Sequence, residues 1–446
     1  MSFIEEYNHY CEQYGTPDRI EALLCDINAV LRGKWLSGDG VEKLEKGAVR
    51  LPLSTYAPAI MGNEVKNTGL GIEVGDPDGV LKPIGGTLLP APWQQGNVAQ
   101  VLVEMTDMQG NVSQLSPREQ LRSVWQQFKD RGWRPVVATE LEFYIVRARS
   151  ERSEAPRPPS FSPDAQNYDM ELLARREAIL NDILSASAMQ GLATDTLIAE
   201  YGPGQFEINF HHTDDVLEAA ETAILFRRLV RGVVANHGFE ATFMAKPYLE
   251  HPGNGMHVHA SVLDSDGKNI FTPSNGEETS RNLLNAVAGV LDSMRDLQAI
   301  FAPHGNSFRR FLPNSFAPAT PDWGIDNRAA SIRLPETKGP GARLEHRISG
   351  ADTNPYLVLT AILGGIMDGL VNAPSLPRSL DDPQSVPSSP LEHDWTSAVA
   401  RFEQSSISQH IFGDYRDLFV TVKRDEIGTI QNPITPAEYE YYLSRM

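Results

Sequence analysis

Cysteine, long hydrophobic runs and positive charge are all scarce in this chain of 446 residues. Its two cysteines, Cys11 and Cys25, offer neither a disulfide framework nor the spacing of a zinc site, which predicts free thiols in a reducing compartment. No apolar run approaches the roughly 20 residues that a membrane span needs. The acidic first residues have no apolar centre of the kind found in secretion signals. These absences favour a cytoplasmic protein.

The charge balance narrows the choice of partners. Lysine and arginine total 39 against 58 aspartate and glutamate residues, so the net charge is −19. We therefore expect no nucleic acid and no anionic membrane as partner, because both would repel this chain, while cationic substrates are mildly favoured. Hydrophobic residues make up 41% of the chain, enough for a substantial core. The length exceeds that of a typical single domain, so two domains are expected.

The order of the predicted elements indicates an α+β protein. Short strands and turns fill the first 110 residues, with one strand at 99–106. A helix start follows at Ser116-Pro117, where serine is a good N-cap, proline suits the first helical position and Glu119 completes a capping box. We place the domain boundary there. The prediction is a small N-terminal sheet domain at 1–111 and a larger domain at 112–446.

Strands and helices alternate in the larger domain, which predicts an antiparallel sheet with helices beside it. The predicted strands cover residues 136–146, 205–210, 241–245, 256–263 and 329–334. The predicted helices cover residues 168–189, 216–237 and 355–370. Stretches rich in proline at 147–163 and 373–390 predict loops.

Three segments of strand-like sequence carry charged or metal-binding side chains at alternating positions, which lie on one face of a strand. These side chains are Arg343, Glu345 and Arg347; Glu140 and Glu142; and His257 and His259. Like charges placed side by side are unfavourable unless a cation lies between them. Carboxylates with an occasional imidazole, and no cysteine, suit Mg²⁺ or Mn²⁺ better than a structural zinc. The pattern therefore predicts a metal site.

A glycine–proline turn adds two more carboxylates, Glu200 and Glu207. Glu207 alternates with the apolar Phe206 and Ile208, so it points to the opposite face. Any one of these acids alone would be an ordinary surface carboxylate, but several alternating pairs in one chain favour a shared site for two or more cations. The candidate metal ligands are Glu140, Glu142, Glu200, Glu207, His257 and Glu345.

Arginines gather in the same part of the chain. A guanidinium binds phosphate or carboxylate through two parallel hydrogen bonds. A solvated basic face is the alternative, but in so acidic a chain this clustering favours a polyanion such as ATP. The arginines are Arg309, Arg310, Arg328, Arg333, Arg343 and Arg347.

Taken together, these segments resemble the glutamine synthetase family of class I type. The resemblance extends through Asn354-Pro355-Tyr356 to the segment that begins at Asn432. Residues 253–259, 323–328 and 345–352 are most similar to the branch of γ-glutamylpolyamine synthetases. The resemblance implies a β-grasp-like N-terminal domain and a catalytic domain with a curved antiparallel sheet flanked by helices. It also implies a homo-oligomer, expected to be a dodecamer of two hexameric rings with sites between subunits.

The same resemblance implies a role for individual residues. Two or three Mg²⁺ or Mn²⁺ ions per site are expected: Glu142, Glu200 and Glu207 match metal ligands at the glutamate site, and Glu140, His257 and Glu345 match ligands of the metal on the nucleotide. Gly253, Arg310 and Arg347 match residues that hold glutamate. His259, Ser261, Arg328, Arg333 and Arg343 match residues around ATP. Glu200, Arg328 and Arg333 are the expected catalytic residues.

Two positions depart from the family members that use ammonium. Ser54 and its neighbours carry no acid where those members have an aspartate, and Phe316 replaces their flap glutamate. Fewer acids weaken a site for ammonium, whereas an aromatic ring suits an alkyl chain. We therefore expect ATP to activate glutamate as γ-glutamyl phosphate, which an organic amine such as putrescine, a polyamine or a monoamine then attacks. The predicted amine pocket is Ser54, Tyr56, Tyr168 and Phe316, with Glu200 as candidate base.

Two other readings stay open at this point. The chain is a glutamine synthetase if other residues replace the missing acids. It is a structural or regulatory relative without activity if the intact set of acids and arginines serves no chemistry. The sequence alone chooses neither the amine nor between Mg²⁺ and Mn²⁺.

Overall fold

The computed structural model describes residues 2–159, 165–274, 276–312, 315–386, 388–443 and 445. Within these ranges the chain forms two sheets with helices around them, which confirms the predicted α+β class. The first sheet ends at Thr106 and the next helix begins at Pro117. The boundary at 111–112 falls in this connection and stays a prediction.

The N-terminal sheet is mixed. Its strands are β1 (Arg19–Cys25), β2 (Leu31–Ser37), β3 (Arg50–Pro52), β4 (Asp78–Pro83), β5 (Leu89–Pro90) and β6 (Val98–Thr106). They lie in the order β2-β1-β6-β4-β3, with β5 beside β6. Only the central pair β1 and β6 is parallel, and its neighbours are antiparallel. A parallel centre with antiparallel flanks agrees with the predicted β-grasp-like domain.

The second sheet positions the chemistry. Its strands are β7 (Arg134–Arg147), β8 (Thr194–Ala199), β9 (Gln205–Phe210), β10 (Phe239–Thr242), β11 (Met256–Leu263), β12 (Trp323–Ile325), β13 (Ile332–Glu336) and β14 (Arg343–His346). The order is β12-β13-β14-β11-β7-β9-β8, with β10 beside β7. All neighbours are antiparallel except β12 and β13. This is the predicted curved antiparallel sheet.

Helices surround the two sheets. They are α1 (Phe3–Tyr14), α2 (Val41–Glu45), α3 (Pro117–Asp130), α4 (Met170–Arg175), α5 (Glu177–Met189), α6 (Val216–Asn236), α7 (Arg281–Met294), α8 (Gln298–Phe301), α9 (Pro355–Asn372), α10 (Trp395–Gln404), α11 (Ser406–Phe412), α12 (Tyr415–Gln431) and α13 (Pro436–Tyr442). The longest, α6, has Asp215 as its N-cap, whose carboxylate accepts the N–H groups of Leu217 and Glu218. Such a cap satisfies amides that have no partner within the helix.

Four sequence predictions of local structure differ from the structure. The single helix predicted at 168–189 begins only at Met170, because Tyr168 has a positive φ of 65°, and it is divided into α4 and α5 at Arg176, whose φ of −108° and ψ of 6° lie outside helical geometry. The strand predicted at 241–245 lies at Phe239–Thr242. The strand predicted at 329–334 begins only at Ile332, since Asn327 accepts the N–H of Ala329 in a turn. Helix α3 does start at Pro117, but Ser116 makes no side-chain capping bond, so the capping box is absent.

The N-terminal sheet is packed on both faces. Helices α1 and α2 pack on one face, where Ile20 and Leu24 are buried. Leu23, on the other face, and Ile27, just after β1, belong to the hydrophobic core of the large domain. A buried ion pair between Lys423 and Glu426 of α12 strengthens this contact, because Glu426 also accepts the side-chain amide of Asn28 at 2.8 Å. The two domains therefore share one continuous core.

Helix α9 is long and apolar enough to cross a membrane by length and composition alone. In the fold, 78% of that stretch is buried. Close packing against α7 explains a glycine of this helix: a Cβ on Gly369 would lie 2.2 Å from the carbonyl oxygen of Asn285. Helix α9 is accordingly a central core helix.

Candidate active site

A cavity of about 980 Å³ opens over the second sheet. Of the residues predicted for the site, it is lined by Glu140, Glu142, Tyr168, Glu200, Glu207, Gly253, His257, His259, Ser261, Arg310, Phe316, Arg328, Arg333, Arg343, Glu345 and Arg347. Residues more than 200 positions apart thus meet at one place. A large concave site with converging polar groups is the usual form of a ligand site.

Strand register brings the alternating pairs together. In the pairing of β7 with β11, Glu140 lies opposite His257, and in the pairing of β7 with β9, Glu142 lies opposite Glu207. Glu345 on β14 lies opposite His259. Side chains at such positions project to the same face, a few ångströms apart. The predicted strand faces are therefore the floor of the cavity.

At one end of the cavity, each buried carboxylate has cationic partners. Glu345, whose side chain is 1% exposed, accepts hydrogen bonds from Arg333 at 2.9 Å and from Arg347. Burial raises its pKa, but the charges of His257 and Arg347 outweigh burial and leave it below the ordinary value. Glu345 is therefore a permanent anion between two guanidiniums.

Glu140 is held by two imidazoles. His257 Nδ1 lies 3.0 Å from one of its carboxylate oxygens and His259 Nε2 lies 2.9 Å from the other. Burial works against the charged form, yet these two hydrogen bonds lower the pKa of Glu140 far below its usual range. His259 Nδ1 in turn accepts the Nε–H of Arg343 at 3.2 Å. The predicted nucleotide residue His259 is thus part of the same polar network as the predicted metal ligands.

The carboxylates at the other end face one another. Burial, followed by the charge of Glu142, raises the pKa of Glu200 to about 7. Burial and then the charges of Glu140, Glu142 and Glu200 raise the pKa of Glu207 well above its usual value. Glu207 does accept a hydrogen bond from Asn209 at 3.2 Å. Carboxylates with pKa values raised in this way are typical of functional sites.

The donor set fits divalent metal ions. In the part of the chain that the structure describes, ligand atoms lie within 4.8 Å of one another in two groups, Glu140 with His259 and Glu345, and Glu140 with Glu207 and His257. Oxygen and imidazole donors with like charges in contact suit Mg²⁺ or Mn²⁺. These groups differ from the two predicted sets, since His259 joins one of them while Glu142 and Glu200 are in neither.

The predicted glutamate residues form a compact corner. Arg310 is fully enclosed, which lowers the pKa of its guanidinium, and it donates to the carbonyl oxygen of Ile348 at 2.7 Å. A Cβ on Gly253 would lie 2.7 Å from the Arg310 side chain, and one on Gly255 would lie 3.1 Å from its Nη2. Glycines here let the backbone approach the arginine closely.

Two predicted pocket residues lie outside this cavity. Tyr56 is 1% exposed in the N-terminal domain and its hydroxyl accepts the N–H of Met105 at 2.8 Å. A ring enclosed in this way has no surface for a substrate, so its assignment to the amine pocket is wrong. The Ser54 hydroxyl donates to Asp76 at 3.0 Å, also away from the cavity lining.

Three residues at the site were not predicted from the sequence. Tyr201 lines the cavity beside Phe316, and Asn209 binds Glu207. Gln166 is buried and hydrogen-bonds the turn that carries Glu200. Asn209 is two residues from Glu207 on the same strand, so alternation could have predicted that both side chains lie on one face. Gln166 reaches the site only through the folding of its loop. Asn314, beside the predicted flap residue Phe316, lies outside the described residues.

Comparisons with known proteins agree with this geometry. Residues 114–442 match the family described as the catalytic domain of glutamine synthetase. The chain belongs to the glutamine synthetase family. Members of this family use ATP and divalent metal ions, and the chain is accordingly a ligase that forms carbon–nitrogen bonds.

Two curated relatives and one solved structure are similar to this chain. The chain is 36% identical to γ-glutamylputrescine synthetase PuuA of Escherichia coli (strain K12), over 99% of this chain and 95% of the relative. It is 34% identical to the glutamate–isopropylamine ligase of a Pseudomonas species, over 83% of this chain and 80% of the relative. A solved complex of GmaS with ADP has a TM-score of 0.84 at 23% identity, covers all of both chains and shares the fold.

Proposed function

We propose that this enzyme joins the γ-carboxylate of glutamate to an organic amine, with ATP converted to ADP and phosphate. The observation that carries the proposal is the composition of one cavity, in which arginines, a cluster of carboxylates and the apolar ring of Phe316 are neighbours. Arginines suit a phosphate chain and a substrate carboxylate, while Phe316 suits the carbon chain of an amine. Two relatives named for putrescine and isopropylamine support the same conclusion.

In the first step, the γ-carboxylate attacks the terminal phosphorus of ATP and gives γ-glutamyl phosphate and ADP. Arg310 and Arg347, with Gly253, hold glutamate, and Arg328, Arg333 and Arg343, with His259 and Ser261, surround the nucleotide. Transfer of a phosphoryl group depends on positioning and on neutralisation of charge, which guanidiniums provide. Two or three Mg²⁺ or Mn²⁺ ions held by Glu140, Glu142, Glu200, Glu207, His257 and Glu345 would supply Lewis-acid stabilisation of the phosphate oxygens.

In the second step, the amine nitrogen attacks the acyl carbon and phosphate leaves. An alkyl ammonium ion with a pKa near that of lysine, about 10.4, must first lose a proton. Glu200 is our candidate base, because by the family resemblance it lies nearest the amine site. Tyr168 lies close enough for the charge of Glu200 to raise the pKa of its phenol, so we assign both to the amine side of the cavity.

The proposal also includes the cellular location and the oligomeric state of the enzyme. Both cysteines are free thiols, in agreement with a cytoplasmic location. We also propose a homo-oligomer, most simply a dodecamer of two hexameric rings, because the family resemblance implies sites that are completed by a neighbouring subunit. Light scattering of the purified enzyme tests the oligomer, and a monomeric, fully active protein would contradict it.

The decisive experiment measures phosphate release with ATP, Mg²⁺ and glutamate against putrescine, spermidine, ethanolamine, alkyl monoamines and ammonium. We expect release with at least one organic amine and little with ammonium, and mass spectrometry should find the γ-glutamylamide. Release mainly with ammonium would make the enzyme a glutamine synthetase. No release with any amine would favour a relative without activity.

A further inference from the structure

Two exposed aromatic rings meet at the solvent edge of the cavity. The centroids of Tyr201 and Phe316 are 5.3 Å apart, and the ring planes are inclined by 44°. Both residues line the cavity, yet Tyr201 is 43% exposed and Phe316 is 70% exposed. Rings with so much surface in water contribute little to the core. Their contact is therefore a feature of the cavity entrance.

The backbone holds Phe316 in an unfavourable conformation. Its φ of +62° lies in the left-handed region, where a bulky side chain is strained. Such strain persists only where the surroundings impose it, and it concentrates at functional sites. The preceding residue, Ser315, is buried, and its hydroxyl lies within hydrogen-bonding distance of the carbonyl oxygens of Arg310 and Leu312. These contacts tie the backbone beside Phe316 to Arg310, which lines the same cavity.

Tyr201 is fixed from the opposite side. Its N–H donates to the carboxylate of Glu200 at 3.2 Å, and its carbonyl accepts the N–H of Gln166 at 3.0 Å. The Gln166 side chain donates to the carbonyls of Glu200 and Gln205 and accepts the N–H of Gly204. These hydrogen bonds fix the turn, in which Tyr201 directly follows the candidate base and lines the same cavity.

We propose that Tyr201 and Phe316 form a ring gate that selects primary alkylammonium ions over ammonium. The positive nitrogen is attracted to the ring faces as it enters. Once the nitrogen reaches Glu200, its carbon chain stays against the two rings. Ammonium has no chain and gains no such contact. This inference rests on the proposed function and names the class of amine that the same site takes.

The test compares wild type with Tyr201→Ala, Phe316→Ala, the double variant and the conservative Tyr201→Phe. Phosphate release is measured with propylamine, putrescine and ammonium at saturating ATP and glutamate. We expect each alanine variant to raise KM for propylamine and putrescine about tenfold, with KM for ATP and for glutamate within about twofold of wild type. Tyr201→Phe keeps the ring and should keep the wild-type KM.

Two further comparisons sharpen the result. Because the rings act together, the double variant should be little worse than the worse single variant. Met170→Ala is the matched control, since Met170 is a large apolar residue, 71% exposed, that does not line the cavity. Thermal unfolding checks that each variant is folded. If an alanine variant is unfolded, Tyr201→Leu keeps most of the volume without an aromatic face.

The outcomes separate the two proposals. If the wild-type enzyme uses none of the organic amines as a substrate, the proposed function and the ring gate are both overturned. If wild type uses organic amines but the alanine variants lose the same factor with ammonium as with propylamine, the rings only exclude water, and the gate alone is overturned. A loss confined to amines that carry a carbon chain supports the gate.

Discussion

At the end of the cavity beside β13 and β14, buried carboxylates lie among guanidiniums and imidazoles, whereas beside the turn from β8 to β9 they face one another. Glu345 and Glu140 consequently have lowered pKa values, and Glu200 and Glu207 have raised ones. One face of the second sheet thus holds two kinds of site. Protein cations balance the carboxylates at the first end, whereas at the second end like charges face one another, and we expect bound cations to balance them.

The largest expected effect comes from breaking the organised end. Glu345→Ala leaves Arg333 and Arg347 without their buried partner, and removing one member of a buried ion pair costs about 3 to 5 kcal/mol. We expect kcat/KM for ATP to fall about 1000-fold or more, measured by phosphate release. Glu336→Ala is the control, because Glu336 is exposed on neighbouring β13 and does not line the cavity. Equal effects of Glu345→Ala and Glu336→Ala would contradict the role of the buried carboxylate at this end of the cavity.

A smaller loss is expected at the other end. Glu200→Gln keeps the shape of the side chain but removes the proton acceptor, and acid–base assistance contributes roughly 100- to 10,000-fold. We expect amide formation to fall at least about 100-fold while KM for ATP changes less than about threefold. Product analysis by mass spectrometry and steady-state kinetics measure the two quantities. Unchanged turnover would remove Glu200 from the mechanism.

The pH dependence of metal binding should separate the two ends further. Below a pH of about 7, Glu200 holds a proton in the free protein, and a metal ligand has to lose it. Affinity for Mg²⁺ should therefore rise about tenfold between pH 6 and pH 8, with release of protons on binding. Calorimetry in two buffers of different ionisation enthalpy measures both. An affinity independent of pH would show that the carboxylates are already ionised.

The same raised pKa has a consequence for stability. The pKa of Glu200 in the folded protein exceeds its ordinary value of 4.5. Between about pH 4.5 and 7, the metal-free folded protein therefore binds more protons than the unfolded chain. The contribution of Glu200 to stability is therefore lost as pH rises through this window. Added Mg²⁺ should raise Tm more at pH 8 than at pH 6, and the opposite order would contradict the assignment.

The smallest effect is expected from an exposed partner at the organised end. Arg333 pairs both with buried Glu345 and with Asp326, whose side chain is 70% exposed. Exposed pairs contribute about 0 to 1 kcal/mol. Asp326→Asn should therefore raise KM for ATP less than about threefold, measured under the same conditions as Glu345→Ala. A loss as large as that of Glu345→Ala would mean that exposure does not distinguish the two partners of Arg333.

Alternation along strands made most of the cavity floor predictable from sequence. Strands 205–210 and 256–263 begin and end as predicted, and parity alone puts Glu142 opposite Glu207 and Glu140 opposite His257 once the strands pair. The faces follow from local geometry, because neighbouring side chains on a strand point to opposite sides. The pairing order of the strands was not predicted and is given by the structure.

The entrance of the cavity was much less predictable. Tyr168 and Phe316 have positive φ values, which are not predictable from the sequence for bulky residues. The position of Tyr201 depends on a hydrogen bond to Gln166, in a loop more than 30 residues away in the chain. Tyr56 illustrates the opposite error. Its position beside Ser54 suggested a role with substrate, but the ring is enclosed by the N-terminal core. Loops and enclosure depend on tertiary contacts that local pattern does not encode.

The buried contact of Lys423 and Glu426 with Asn28 limits how this molecule can move. Sliding or rotating the N-terminal sheet away from α12 would expose two charges that are now 0% exposed and break the bond from Glu426 to Asn28. The Lys423–Glu426 pair would stay intact within α12, so the cost of such a movement is the loss of the hydrogen bonds that both side chains make to Asn28, about 1.5 to 3 kcal/mol for each bond to a charged group. The contact therefore opposes a movement of the N-terminal sheet away from α12, and we expect substrates and products to exchange through the open edge of the cavity.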